Sequence, residues 1–237
     1  MADRIWIMGA SDGIGAAVAR AYAARGAQLV LSARGADRLA ELARELGAVA
    51  VPCDTADRAS LEQAAAQIGP LDRAMTFAAM YDPGKVTDAD PDRAAQIVTV
   101  NLTGSFLFAR AALPLLRAGG QLALTGSVAG YVGLPQGQIY SATKAGVINL
   151  AETLRVERPD RDIRLICPGF VDTAMTQRND FDMPAIMTPD AAAKAILRGL
   201  DGRRFEVHFP ARLTLALKLL RALPYGVALR LTKRLVT

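Results

Sequence analysis

Cysteine, histidine and aromatic residues are scarce in this chain of 237 residues, and no acid occurs from Phe209 to Thr237. Each shortage closes off a class of function. The two cysteines, Cys53 and Cys167, fall at the ends of apolar runs. Free buried thiols in a reducing cytoplasm are their expected state, rather than a disulfide framework. One histidine, His208, with no Cys/His cluster beside it, leaves no metal site to propose. The sequence opens directly on a strand-length apolar run, with no basic n-region or cleavage site, so a cytoplasmic protein is expected rather than a secreted one.

The missing acid decides what the net charge means. The chain carries 28 basic and 23 acidic side chains, a formal charge of +5. Six of the basic residues (Arg212, Lys218, Arg221, Arg230, Lys233 and Arg234) lie beyond residue 208, which leaves 22 against 23, or −1, before it. The body therefore lacks the electrostatic signature of nucleic-acid binding, and no nucleic-acid partner is expected. Basicity belongs to the tail.

What the chain has in quantity is apolar. Hydrophobic residues make up 51% and charged residues 22%, which suits a compact fold and excludes disorder. The length allows one domain with a substantial core and no need of disulfides. Strands are predicted near 4–8, 28–32, 49–53, 73–78, 120–126, 163–167 and 205–208, and helices near 13–25, 36–46, 57–67, 90–117, 138–157 and 189–200. Alternating β and α elements imply parallel strands joined by right-handed crossovers, with helices on both faces. Continuous apolar runs such as Gln28-Leu-Val-Leu-Ser32 fit strands covered on both sides. The expected architecture is α/β: a single doubly wound Rossmann-type domain over 1–208 on a parallel seven-stranded sheet, then a helical tail over 209–237.

Two motifs carry chemistry. The first strand runs into Gly9-Ala-Ser11-Asp12-Gly13-Ile14-Gly15 and then an alanine-rich helix. Glycines in that context let backbone approach a pyrophosphate at a helix N-terminus. The spacing is Gly-x-x-x-Gly-x-Gly, not the usual Gly-x-Gly-x-x-Gly, and an ordinary tight turn is the alternative. The second motif places Tyr140 and Lys144 one helical turn apart, thirteen residues after Ser127. A phenol is a poor acid, with a reference pKa of about 10. An ammonium at i+4 favours the phenolate, and a serine hydroxyl from a neighbouring strand end can orient a carbonyl or alcohol oxygen against it. By itself the pair is an ordinary solvated helix face; the glycine turn supplies a cofactor site for the same chemistry. In doubly wound sheets ligands bind outside the carboxyl ends of the strands, which is where Gly9, Ser127 and Pro168 fall. Asn101 lies instead within the helix of the fourth connection.

Taken together, Gly9-x-x-x-Gly13-Ile14-Gly15, Asn101 in Val-Asn-Leu-Thr-Gly, Ser127, Tyr140-x-x-x-Lys144 and Pro168-Gly169-Phe170-Val171-Asp172-Thr173 resemble the short-chain dehydrogenase/reductase family, in the family's order, over about residues 3–208. The resemblance implies an oxidoreductase that interconverts a carbonyl (ketone or aldehyde) and an alcohol by hydride transfer. Tyr140 would be the acid in reduction and the base in oxidation. Lys144 would lower its pKa and hold the nicotinamide ribose, and Ser127 would stabilise the substrate oxygen. Asn101 would hold a proton-relaying water through its helix's backbone. Pro168 and Gly169 are expected to turn the chain so that Val171 and Thr173 reach the nicotinamide carboxamide. Asp54 matches the family's aspartate that accepts from the adenine amino group, although Asp54-Thr55-Ala-Asp57 also reads as a helix cap, with Thr55 able to take that part.

NAD-preferring members of this fold place an acid about 20 residues beyond the glycine turn. Here Ala33-Arg34 stands at that point, and a guanidinium suits a 2′-phosphate. By resemblance NADP(H) is the preferred cofactor and NAD(H) the alternative; Asp12 supplies no second positive charge. One departure is plain: Thr76-Phe77-Ala78-Ala79 stand where the family commonly has Asn-Asn-Ala-Gly. Ala78 keeps the small size needed beside the cofactor.

The long connection 172–187 follows the nicotinamide site and suits a lid, with Met175, Phe181, Met183, Ile186 and Met187 as its apolar inner face. Tyr131, Val132 and Leu134 are the candidate opposite wall, so a small apolar ketone, aldehyde or secondary alcohol is the expected substrate. The tail reads as two helices, 212–223 and 225–236, broken by Pro224 and Gly226. Thr214, Lys218 and Arg221 share one face of the first; Arg230, Lys233 and Arg234 oppose Val227, Leu231 and Leu235 in the second. Neither can span a bilayer. An interfacial helix on anionic lipid, a cover for the cleft and a subunit contact all remain open, and a homo-oligomer is expected. The non-catalytic alternative is an NAD(P)-binding sensor or lipid-associated scaffold on the same fold.

Overall fold

Side chains within each apolar run alternate between two faces, and this alternation divides the core in two. The computed structural model describes residues 2–179 and 182–233. Its strands are β1 (Arg4–Met8), β2 (Gln28–Ser32), β3 (Val49–Ala50), β4 (Leu71–Thr76), β5 (Leu116–Thr125), β6 (Asp162–Pro168) and β7 (Glu206–Phe209). All pair in parallel, in the order β3-β2-β1-β4-β5-β6-β7. Trp6, Met8, Leu122, Leu124 and Leu165 point to one face; Ile5, Ile7, Ala123 and Ile166 point to the other.

Helices α1 (Gly13–Ala23), α2 (Ala36–Leu46) and α7 (Pro189–Leu200) cover the second face. The first is covered by α3 (Arg58–Ile68), α5 (Gly104–Ala112) and α6 (Gln138–Glu157). Trp6 anchors that side: its ring lies 4.8 Å from that of Phe108, and its Nε1 donates to Ser32 Oγ at 2.9 Å. Strand order reverses between β1 and β4, which opens a crevice at their carboxyl ends. This crevice positions the site.

Three elements differ from the sequence expectation. The third strand is two residues long rather than 49–53. Val51 and Cys53 still donate to the carbonyls of Leu31 and Ala33, at 2.9 and 3.1 Å, while Pro52, lacking an N–H, takes the outward position of this edge. The helix expected over 90–117 is broken into α4 (Pro91–Val98), a π-helical turn (Thr99–Thr103), α5 and a 3₁₀ turn (Leu113–Leu115), after which β5 begins. A π turn inside a helix is uncommon and is frequent at functional sites; this one holds Asn101. Pro91–Leu115 is long and apolar enough to cross a membrane, but 50% of its apolar window is buried in the body, as befits a core helix.

The tail is the third. It forms α8 (Ala211–Ala222) and α9 (Tyr225–Lys233), broken at Leu223–Pro224, with Gly226 inside α9 rather than between the helices. Arg234 and Leu235 lie outside the described residues. Thr214 and Leu217 are buried against the body, and Lys218 pairs with Glu206 of β7. Thr214 and Lys218 therefore turn inward together with Leu213, Leu217 and Leu220, while Leu215 and Leu219 turn outward and Arg221 is exposed.

Candidate active site

The turn after β1 admits nothing larger than glycine at two positions. Gly9 has a φ of 80°, and a Cβ there would lie 2.4 Å from the Ala78 nitrogen. A Cβ on Gly15 would lie 2.1 Å from the Gly9 carbonyl oxygen. Asp12 caps α1, its carboxylate accepting from the Gly13 N–H at 2.6 Å. The first turn of α1 thus faces a cleft of about 330 Å³. Gly9, Ser11, Asp12, Gly13, Ile14 and Gly15 border its near end. Ala78 and Thr173 stand beside Gly9 and Gly13, Pro168, Gly169 and Val171 also border the cleft, and Ser127, Tyr140 and Lys144 close its far end. Thr125 Oγ1 also lines the cleft, buried with no hydrogen-bond partner among the described residues. A glycine-lined helix N-terminus and an orphan hydroxyl fit a long polar ligand carrying phosphate, as a dinucleotide does.

Arg34 borders the near end, and so does Arg38, which the sequence reading missed. Arg38 lies one turn into α2, and its guanidinium meets the Asp12 carboxylate at 3.5 Å. The signal was the i,i+4 spacing of Arg34 and Arg38. Cys53 and Thr55 line the cleft, but Asp54 does not; its Oδ1 accepts from the Ala56 N–H at 2.9 Å. The helix cap is neither Asp54 nor Thr55: Asp57 accepts from Ala59 N–H, and the Thr55 hydroxyl donates to the Gly104 carbonyl at 3.3 Å.

At the far end, Ser127 follows β5 and accepts from the Ala129 N–H at 3.2 Å, which closes a 3₁₀ turn. Tyr140 and Lys144 extend from the first two turns of α6. Burial pushes the Tyr140 phenol up to about 12, opposed by a hydrogen bond with the Ser127 side chain. Lys144 is buried, which lowers it to about 8; its Nζ donates to the Thr125 carbonyl at 2.8 Å and lies 5.6 Å from the centroid of the Tyr140 ring. Burial outweighs any lowering of the phenol by the Lys144 ammonium, which sits over the ring. Asn101 lies outside the cleft lining and braces it from behind. Its Oδ1 accepts from Met80 N–H at 2.7 Å, and its Nδ2 donates to the Met80 carbonyl at 2.9 Å and to Thr143 Oγ1 at 3.2 Å. One side chain so joins the loop after β4, the π turn and α6.

Burying Lys144 has a measurable cost. From pH 8 to the ordinary lysine value of 10.5, the unfolded chain holds a proton that the folded chain has shed. Stability contributed by this group therefore rises with pH across that window, and below it the full cost, about 3 kcal/mol, applies. The stability of the wild type relative to Lys144→Met should grow by about that amount between those pH values, read from denaturant midpoints. A flat or shrinking difference would contradict the buried charge.

Beyond Ser127 and Tyr140 lies a second cavity of about 90 Å³, with Leu134, Phe170 and Met175 among its apolar walls. Of the residues expected to form the substrate walls, only Leu134 and Met175 do so among those described. Tyr131 is buried instead, its hydroxyl donating to Glu206. Val132 packs on the core, Met187 pairs with Val171 in a β-bridge, and Ile186 is exposed. Met183 Sδ accepts from Asn179, and Phe181 lies outside the described residues. Tyr81 was missed: its ring meets Tyr140 edge-on at 4.9 Å, and its hydroxyl donates to Asn179 at 2.7 Å. Ser141 Oγ also borders this cavity, buried and without a hydrogen-bond partner among the described residues.

Comparison with known proteins agrees with this geometry. The family model described as short chain dehydrogenase matches residues 3–183. The protein 11-beta-hydroxysteroid dehydrogenase-like 3 of Arabidopsis thaliana is 33% identical over 230 residues, 87% of this chain and 73% of that protein. Two longer relatives from the same plant are spanned over 54% of their length. Among solved structures, an alcohol dehydrogenase of Thermococcus sibiricus complexed with 5-hydroxy-NADP superposes with a TM-score of 0.80 at 29% identity, covering 88% of this chain and 96% of that one. A short-chain dehydrogenase of Sphingobium yanoikuyae in complex with NADPH gives 0.79 at 29% identity, covering 88% of each chain. The family model spans well over half of the residues and the same hydroxyl, phenol and amine converge in space, so the chain belongs to the short-chain dehydrogenase family.

Proposed function

We propose that this protein is an NADP(H)-dependent oxidoreductase that interconverts a carbonyl and an alcohol on a small, mainly apolar substrate. The observation that carries the reading is the junction of two cavities at one point: Ser127 and Tyr140 border both the long cleft and the smaller apolar pocket. Arg34 and Arg38 support a 2′-phosphate at the opposite end, and two relatives of 29% identity were solved with NADP-type ligands. When bound, the nicotinamide supplies a hydride to the carbonyl carbon or accepts one from the alcohol.

The chain's own groups handle the oxygen. Ser127 donates to the substrate oxygen and orients it. As that oxygen gains charge, the Tyr140 hydroxyl gives up its proton to it, and the phenolate takes a proton back in the oxidative direction. Lys144 keeps a positive charge under the ring, which stabilises the phenolate. The Asn101 backbone carbonyl, which accepts from Ser105 Oγ at 2.6 Å, is the group that the family resemblance gives to a water returning the proton. Ser141 offers a hydroxyl to a second polar group on the substrate. A non-catalytic sensor needs none of this acid–base set. Buried free thiols at Cys53 and Cys167 support a reducing, cytoplasmic setting. Phe106, exposed on α5, supports self-association, which native mass spectrometry would test.

A panel of ketones, aldehydes and alcohols with both cofactors, followed by absorbance of the reduced nicotinamide, tests the reading. Stoichiometric NADPH oxidation supports it; cofactor binding with no turnover on any member contradicts it. The pH profile adds a sign. Tyr140 stays protonated to about 12, whereas Lys144 loses its charge above about 8. Reduction should be level up to about pH 8 and then fall by about tenfold per pH unit. A rate that climbs through that pH would contradict the role given to Lys144.

A further inference from the structure

We propose that the outer face of α8 and α9 docks the protein on an anionic lipid surface. The inference is independent of the reaction proposed above. It rests on how α8 is turned. A surface helix normally buries its apolar stripe and presents its polar one. α8 does bury Leu217 and packs Leu213 and Leu220 on the core beside Thr214 and Lys218, yet it still leaves Leu215 and Leu219 57% and 67% exposed on its far side. Along α9, Tyr225 and Leu229 are 85% and 58% exposed, with Val227 and Leu231 also outward. These two consecutive helices therefore expose six large apolar side chains, Leu215 and Leu219 on one side of α8 and the four of α9 on either side of its buried Ala228 and Thr232.

Charge selects the occupant. Arg212, Arg221, Arg230 and Lys233 are all exposed, and among the described residues none of the four makes an ion pair. No acid occurs anywhere from Phe209 onward. A second copy meeting this face across a twofold axis would oppose the same cations with nothing to neutralise them. An anionic bilayer supplies both an apolar layer for the leucines and phosphate or carboxylate for the cations. At 12 and 9 residues the helices are too short to span and suited to lie in the interface. Leu213, on the inner face of α8, packs where a Cβ on Gly169 would touch it, at 3.0 Å, so this helix backs the cleft wall.

The test is flotation of the full chain with phosphatidylcholine vesicles, with and without phosphatidylserine. Recovery with the anionic vesicles should exceed that with neutral ones by more than about tenfold and collapse in high salt. The double variant Leu215→Ser/Leu219→Ser and, separately, Arg212→Gln/Arg221→Gln/Arg230→Gln/Lys233→Gln should each lose that recovery while keeping the wild-type melting transition. Equal recovery from both vesicle types, or none, overturns the proposal. So does a wild-type dimer, unaffected by lipid, that the leucine variant converts to monomer, since the face would then join two copies.

Discussion

Replacing Tyr140 by Phe should lower turnover by about 10²–10⁴-fold while leaving NADP(H) binding largely unchanged. Phe keeps the ring that meets Tyr81 edge-on at 4.9 Å and lies beneath the Lys144 ammonium. It deletes only the hydroxyl that bonds Ser127 and carries the exchanged proton. Ser127→Ala should fall less far, because one oriented donor is lost and the acid remains; a loss of about 10² is the scale for a single such group. The double variant should be little worse than Tyr140→Phe alone, since the two hydroxyls act as a unit. Single-turnover rates with a substrate from the panel read all three. Near wild-type turnover in the Phe variant would remove Tyr140 from the chemistry, and weakened cofactor binding with intact turnover would recast it as a positioning group.

Changing Arg34 to Asp should raise the KM for NADPH by about 100-fold or more and that for NADH only slightly. A hydrogen bond to a charged group contributes about 1.5–3 kcal/mol, or roughly ten- to a hundredfold. Introducing a carboxylate adds repulsion of the 2′-phosphate to that loss. Arg38→Ala should act in the same direction and more weakly, because Asp12 already draws its guanidinium, at 3.5 Å. Steady-state kinetics with the two cofactors separate the cases. An equal rise for both would mean that Arg34 supports the fold of the β2–α2 turn and reads no phosphate.

Much of this site was legible because its requirements are local. Three glycines between an apolar run and an alanine-rich helix specify a turn where Gly9 and Gly15 leave no room for a Cβ. The helix 138–157 agrees with its predicted bounds, which fixes Tyr140 and Lys144 on adjacent turns. What was not legible depends on distant partners. Tyr131 turns away from the substrate because Glu206, 75 residues on, accepts its hydroxyl. The same carboxylate holds Lys218 inward beside Leu217, which leaves Leu215 and Leu219 on the outer side of α8. The π turn at Asn101 leaves no mark in composition, because its flanking residues have ordinary helical dihedrals. Arg38 joins the cleft only because α2 begins at Ala36 and brings it to the Asp12 carboxylate, a packing the strand end alone does not specify.

The most direct measurement uses NADPH with both C4 hydrogens replaced by deuterium and the best carbonyl substrate of the panel. The alcohol formed should carry the label on its carbinol carbon, with solvent supplying only the hydroxyl proton, and Tyr140→Phe should slow the reaction by about 10²–10⁴-fold without displacing the cofactor. Alcohol that forms without the label, or label that appears in water, would mean that no hydride passes between cofactor and substrate at this site.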